Sequence, residues 1–307
     1  MPRKIAAAFA GLMVSLSGLS APLSLEGSVT SPDVMNTIVV TARPGWLDEE
    51  QLIGVTQRPE WTSRRRFGTT RAYIQYEPWE VAVEQWWRVR SYRNNGKTAR
   101  QLFMQEIAIG LPNRMQLDLY YDWVHEESRT RNKDVAVELR WALADWGVIP
   151  LNPTLYAEYK ATDGAYGSDV WETKLLLGTD LAPRLHWAFN AVYERDCAGS
   201  SAKPEGIETE IALTQGLSYT IVDQKLSAGV EMQYKHQYSP GYTNIEHKFQ
   251  IGPSLQYNPT RDSWINLVVL GGCTGASPAI EAFVVLGYNF GKGGSGRTVS
   301  RPTAAPR

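Results

Sequence analysis

Between residues 79 and 290, apolar and polar side chains alternate with a period of two, in short segments closed by turn residues. Such a segment is a strand with one apolar and one polar face; a helix cannot satisfy the pattern. Trp79–Arg90 sets Trp79, Val81, Val83, Trp87 and Val89 opposite Glu80, Glu84, Arg88 and Arg90. Arg114–His125 sets Leu117, Leu119, Tyr121 and Trp123 against Gln116, Asp118 and Asp122. Lys133–Ala144 does the same with Val135, Val137, Leu139, Trp141 and Leu143 against Glu138 and Arg140. The segments run roughly over 79–90, 100–110, 114–125, 133–144, 154–161, 169–179, 184–194, 205–219, 225–237, 243–257, 262–271 and 279–290. Their lengths suit the ~9–11 residues that a tilted strand needs to cross a bilayer.

The connections alternate as well. Pro112-Asn113, Asp145-Trp146-Gly147, Ala182-Pro183, Val222-Asp223-Gln224 and Asn258-Pro259-Thr260 read as tight links. Between them lie the longer stretches 91–98, 126–132, 163–168, 196–204, 239–242 and 272–278. Short turns on one side and long loops on the other, with an even strand count, define an all-β fold. It is a transmembrane antiparallel up-and-down β-barrel of about 12 strands, both ends on the short-turn, periplasmic side. The chain holds 11 Trp and 15 Tyr beside 7 Phe, an excess of rings with a polar handle. Trp79, Trp141, Trp146, Trp187, Tyr257, Trp264 and Phe290 fall at short-turn ends, and Trp87, Trp123, Trp171, Tyr193 and Tyr238 near long-loop ends. Two girdles are what the two interfaces of a bilayer select. A secreted β-sandwich also alternates, but it buries its apolar face and seldom puts large aromatics at both strand ends.

Arg3 and Lys4, the apolar run 5–16, and Gly18 and Ser20 before Ala21 form a secretory signal peptide. The domain reading is therefore signal peptide 1–20, periplasmic segment 21–78, barrel 79–290 and flexible tail 291–307. A net charge of −1 gives no support to nucleic acid as a partner.

The last segment, Ile280-Glu-Ala-Phe-Val-Val-Leu-Gly-Tyr-Asn-Phe290, resembles the C-terminal assembly strand of Gram-negative outer-membrane β-barrels, with Tyr288 and Phe290 as its spaced aromatics. Residues 60–67 and 109–119 are similar to an uncharacterised group of exported barrels. The resemblance implies the outer membrane of a Gram-negative bacterium, with its lipids and the barrel-assembly machinery as partners. Thr37, Ile38, Val39, Val40, Thr41 and Ala42, continuing through Arg43-Pro44, resemble the TonB box of TonB-dependent receptors. The resemblance implies strand addition to a TonB-type partner. A β-prone run arising from composition alone is the other reading, and both stay open here.

On this register the inward faces carry Glu80, Glu84, Glu106, Asp118, Asp122, Glu138, Glu158, Glu172, Glu194, Glu208, Glu210, Glu231, Glu246 and Glu281. Against them stand Arg88, Arg90, Arg140, Lys160, Lys174, Lys235 and Lys248. An acid-biased wet lumen favours cations or polar solutes, which gives transport or permeation of a polar solute as the expected role. The alternative is a closed barrel packed with ion pairs, acting as a structural or partner-binding module. Arg64, Arg65, Arg66 and Arg71 precede the first strand. A basic run is ordinarily a solvated face; below an acidic lumen its forks could instead pair with carboxylates as a small plug.

Catalysis needs a nucleophile with a base. His236-Gln-Tyr-Ser-Pro-Gly does not reproduce the His and Ser spacing of outer-membrane phospholipases, so an enzyme is not expected. Gly291–Thr298 imitates a phosphate loop but lacks Lys before Thr and a following helix. No cofactor or metal is called for. Cys197 and Cys273 both fall in long loops, and an oxidising compartment predicts a disulfide across the outer mouth.

Overall fold

The computed structural model describes residues 46–93, 99–197, 208–238 and 245–291. The signal peptide, the TonB-box-like run 37–44 and the tail beyond Gly291 lie outside the described residues.

A small N-terminal unit comes first: a 3-10 turn at Asp48–Glu50, the two-residue strands β1 (Leu52–Ile53) and β2 (Arg58–Pro59), and a second 3-10 turn at Glu60–Ser63. The barrel strands are β3 (Val81–Ser91), β4 (Arg100–Leu111), β5 (Met115–Glu126), β6 (Arg129–Ala142), β7 (Thr154–Thr162) and β8 (Val170–Ala182). They continue with β9 (Leu185–Asp196), β10 (Thr209–Val222), β11 (Leu226–Tyr238), β12 (Glu246–Tyr257), β13 (Ser263–Gly272) and β14 (Ile280–Asn289). Each pairs antiparallel with its chain neighbours, and β14 pairs with β3 to close a 12-stranded barrel. Closure leaves no sheet edge, which is what a strand-built wall in lipid requires.

Parity along the strands separates the two faces. Leu155, Leu175, Leu213, Val230, Leu255, Leu267 and Val269 are exposed on the outside, between rings at either end such as Trp79, Trp141, Trp171 and Tyr193. Trp146 and Trp264, expected in the short-turn girdle, depart from it: they are 6% and 1% exposed. Trp264 sits on the inward parity of β13 and gives its indole N–H to Glu84 Oε1 at 3.1 Å. Trp146 turns in because its link is not a tight turn; the connection runs from Leu143 to Pro153 and bonds back to Thr56 of the N-terminal unit. The stretch 126–132, expected as a long loop, is mostly strand. Glu127 and Ser128 alone make the turn, at φ 50° and 60°, the left-handed region of a two-residue hairpin. In β12, Pro253 has no N–H to give, and the ladder to β13 lapses between Ile251 and Ser254.

The predicted disulfide is not formed: Cys197 and Cys273 are both free. Cys197 leaves β9 bonded to Asp169 O, and Cys273 leaves β13 bonded to Phe249 O. Three strands stand between β9 and β13 around the closed sheet. At ~4.8 Å per strand this holds the two thiols on the order of 20 Å apart. A bridge needs Cα atoms within about 7 Å.

Candidate functional site: a plugged lumen

Residues 46–78 run inside the barrel. The segment enters at the short-turn end, where Asp48 and Glu49 amides bond to Asp223 at 2.8 and 3.1 Å. It rises to an apex at Gly68–Arg71, then descends to the same end, where the Trp79 amide meets Gly110 O at 2.7 Å. Beyond the hairpin β1–β2 it forms no ladder. Its backbone and side chains bond instead to inward side chains of the wall.

The arginines carry most of that attachment. Arg65 gives Nε to Glu84 at 2.6 Å and Nη2 to Glu106 at 3.1 Å, and its guanidinium lies 4.1 Å from the ring centre of Trp86. Arg71 gives Nη2 to both Glu106 oxygens at 3.1 Å. Arg66 reaches Glu49 within the plug, Ser218 on β10 and Gln256 on β12. Arg64 pairs with Glu60 and the Arg261 carbonyl. At the apex, Gly68 and Thr69 amides are received by Glu231 at 2.9 and 2.7 Å. Asn190 then accepts from the Arg71 amide and donates to the Arg71 carbonyl. On the way down, Gln75 bonds to Gln116 and accepts from Arg140, itself held by Asp118 and Glu138.

The wall is shaped for this segment. An added Cβ at Gly110 would run into the Glu77 carbonyl, one at Gly216 into the Phe67 ring, and one at Gly178 would stand 2.7 Å from Ala72 O. These glycines face inward where the plug's backbone or ring passes closest, so a side chain there would occupy the plug's own space.

The base of the plug is latched aromatically. Trp61 stacks on the buried ring of His186 at 4.7 Å and donates to Asp180 at 2.7 Å, while Trp146 packs edge-on at 5.9 Å. His186 also faces Glu49 and Glu50, each at 3.6 Å. Burial would raise the Glu49 carboxyl, but Arg66 and hydrogen bonds from His186 and Thr220 bring it from 4.5 down to about 2. A depressed carboxylate lends its full stabilisation above its unfolded value and loses it as pH falls through the folded one. Hydrogen exchange across 46–66 should therefore rise, relative to the barrel strands, as pH falls from 4.5 towards 2. In Glu49→Gln that rise should be smaller; superimposable curves would rule out Glu49 as the titrating latch.

The remaining inward residues sort by height. Glu84, Glu106, Asp118, Glu138 and Glu231, all buried, meet the plug or Arg140. Above the apex, Lys160 bridges Glu158, Glu172 and Glu194, and Lys174 pairs with Glu172. Asp122 pairs with Lys133, Lys235 with Glu210, Lys248 with Glu246, and Arg88 and Arg90 with Glu281. Glu80 and Glu208 lie just outside the strands at opposite rims. Two of the acids behind the bias read from the sequence, Glu84 and Glu106, are thus taken up at mid-height by Arg65 and Arg71, which are not wall residues. Trp86, Asn190, Gln233 and Gln250 were not singled out from the sequence, although Trp86 could have been. Of two adjacent tryptophans on a strand, one must face inward. The four histidines are scattered: His186 is buried at the latch, His236 and His247 pair on the outer surface at 3.3 Å, and His125 bonds to Thr130.

No family model and no curated protein matches the chain. Among solved structures it is similar to an outer membrane channel from Pseudomonas putida F1, with 9% identity and a TM-score of 0.52, over 74% of this chain and 100% of that one. It is also similar to the NanC porin, with 12% identity and a TM-score of 0.47, over 67% of this chain and 97% of that one. For the beta domain of the Bordetella autotransporter BrkA the values are 10% and 0.44, over 70% and 100%. With the apolar outer wall and closed sheet, the chain is a 12-stranded β-barrel of the Gram-negative outer membrane.

Proposed function

We propose that this chain is an outer-membrane channel for a polar solute, kept shut at rest by residues 46–78. The observation that carries the reading is a charge match made across the barrel axis. Arg65 and Arg71 sit on the wall carboxylates Glu84 and Glu106. A wall that packed its own lumen permanently would need no separate, ladder-free segment to neutralise it. Such a segment can leave without unzipping any barrel strand pair. The test is conductance in planar bilayers with and without residues 46–78. The second reading is a barrel closed for good, acting as a structural or partner-binding module. It is favoured by the depth of burial of Arg65 and Arg66, and it requires silence from both proteins.

Coupling to a TonB-type partner is the finer part of the proposal. The plug's first described residues stand at the short-turn mouth, the end from which a strand-adding periplasmic partner would reach the chain. A peptide covering Asn36–Pro44 should bind the carboxy-terminal domain of the host's TonB. Val39→Pro should abolish binding by removing a ladder donor. Equal binding by both peptides, or by neither, would end the coupling argument. We also assign Tyr288 and Phe290, both exposed at the end of β14, to recognition by the barrel-assembly machinery.

A further inference from the structure

Above the plug the lumen opens outward as a polar cup, and one corner of it has donors left over. A cavity of about 670 Å³ lies against Arg90, Lys235, Lys248, Gln250 and Glu281. Lys235 and Lys248 each have a carboxylate, Glu210 and Glu246. Arg88 and Arg90 share one, both giving Nε to the same oxygen of Glu281. Among the described residues these four cations therefore share three carboxylates, one positive charge in excess, and Arg93 lines the same cavity. The terminal Nη groups of both arginines have no bonding partner among the described residues. The two residues stand two apart on β3, so both project to the lumen side.

The second observation is Gln250. Its side chain is 2% exposed and lines the cavity, yet its Nε2 has no hydrogen-bond partner. The bonding chain fixes which way the amide points. The acceptor-only carboxylate of Glu281 takes Gln233 Nε2 at 3.0 Å, and the other Gln233 proton goes to Gln250 Oε1 at 2.8 Å. Gln250 is left presenting N–H. A buried donor without a partner is costly, so its presence beside a cavity marks where an acceptor belongs.

Arg88, Arg90 and Gln250 keep unspent donors here, and the four cations Arg88, Arg90, Lys235 and Lys248 outnumber their three carboxylate partners by one. We infer that the outer half of the lumen binds a small solute bearing a carboxylate or phosphate, held by Arg88, Arg90 and Gln250. The barrel wall stands between this corner and the lipid, so the ligand is a solute entering from the open mouth and not a lipid headgroup. The inference rests on the channel reading for its purpose, since it names the class of solute admitted, but binding itself does not depend on conduction.

Titration calorimetry on the full chain in detergent micelles tests it, using citrate, inorganic phosphate, neutral glycerol and cationic spermidine as probes. Saturable binding of citrate or phosphate, with none of glycerol or spermidine, is expected. Arg90→Gln should weaken it about tenfold or more, and Arg90→Lys should restore only part, because lysine lacks the planar fork. Gln250→Leu changes no charge and should still weaken the anion about tenfold, which separates a built site from general attraction. Heat-modifiable electrophoretic mobility reports that each variant is a folded barrel. Equal binding of glycerol and citrate, tighter binding of spermidine, or anion binding unchanged in both Arg90→Gln and Gln250→Leu would overturn the site. A chain that binds citrate but never conducts, plugged or unplugged, sinks the channel and keeps the site. One that conducts once unplugged yet ignores both anions sinks the site alone.

Discussion

Deleting residues 46–78 is expected to turn a silent barrel into a conducting one. The plug fills the lower half of the lumen from the short-turn mouth to Glu231, and the upper half is already an open cup. What remains after deletion is a 12-stranded wall whose inward glycines, Gly110, Gly178 and Gly216, leave hollows where the plug ran. The deleted protein should also prefer cations. Glu84, Glu106 and Glu231 would face water without Arg65, Arg71 and the apex amides that now engage them. Replacing Glu84 and Glu106 with Gln in the deleted protein should reduce that preference while leaving conductance in place. Stepwise currents from the deleted protein and none from the full chain are the expected pair of traces. Silence from both, with heat-modifiable mobility showing folded barrels, would remove the channel reading altogether.

Replacing Arg65 with Ala should unseat the plug without touching the wall. Arg65 is 3% exposed and holds two buried carboxylates, Glu84 and Glu106, while its guanidinium covers the Trp86 face. Removing one partner of a buried charge cluster costs about 3–5 kcal/mol, because the others stay buried and unpaired. Local opening is the cheapest relief, since the plug leaves the lumen without breaking barrel ladders. Amide exchange at Gly68 and Thr69, both bonded to Glu231, is the direct reading. It should accelerate by roughly two to four orders of magnitude, the factor that a change of this size implies. Arg65→Lys keeps the charge but cannot fork between two carboxylates, and should fall between. Unchanged exchange in Arg65→Ala would mean that the plug is held by something other than its charge match.

The same structure accounts for why an acid-rich lumen need not admit cations. At mid-height Glu84 and Glu106 are spent on plug arginines and Asp118 and Glu138 on Arg140, and the surface that a solute meets first is the cup above. There Arg88 and Arg90 share Glu281, and Gln250 holds out an unbonded amide. The cup of the full chain should therefore bind anions, whereas the unplugged pore should prefer cations. Charge counted along the chain cannot foresee that, because it depends on which groups meet.

What the sequence determined by itself was the wall. A period of two is a local property: each residue's face follows from its neighbours' steric demands. The strands and their number were thus legible without long-range information. The tertiary structure alone decided three things. Trp264 and Trp146 left the expected girdle, one on strand parity and one because its link folds under the barrel. Cys197 and Cys273 stayed apart because ring closure, not loop length, sets their separation. The plug was decided by partners up to 200 residues away, as Asn266 donates to the Arg66 carbonyl, in a segment with no repeat of its own. A periodic pattern reports the face a residue turns to its neighbours; only closure of the sheet decides what that face encloses.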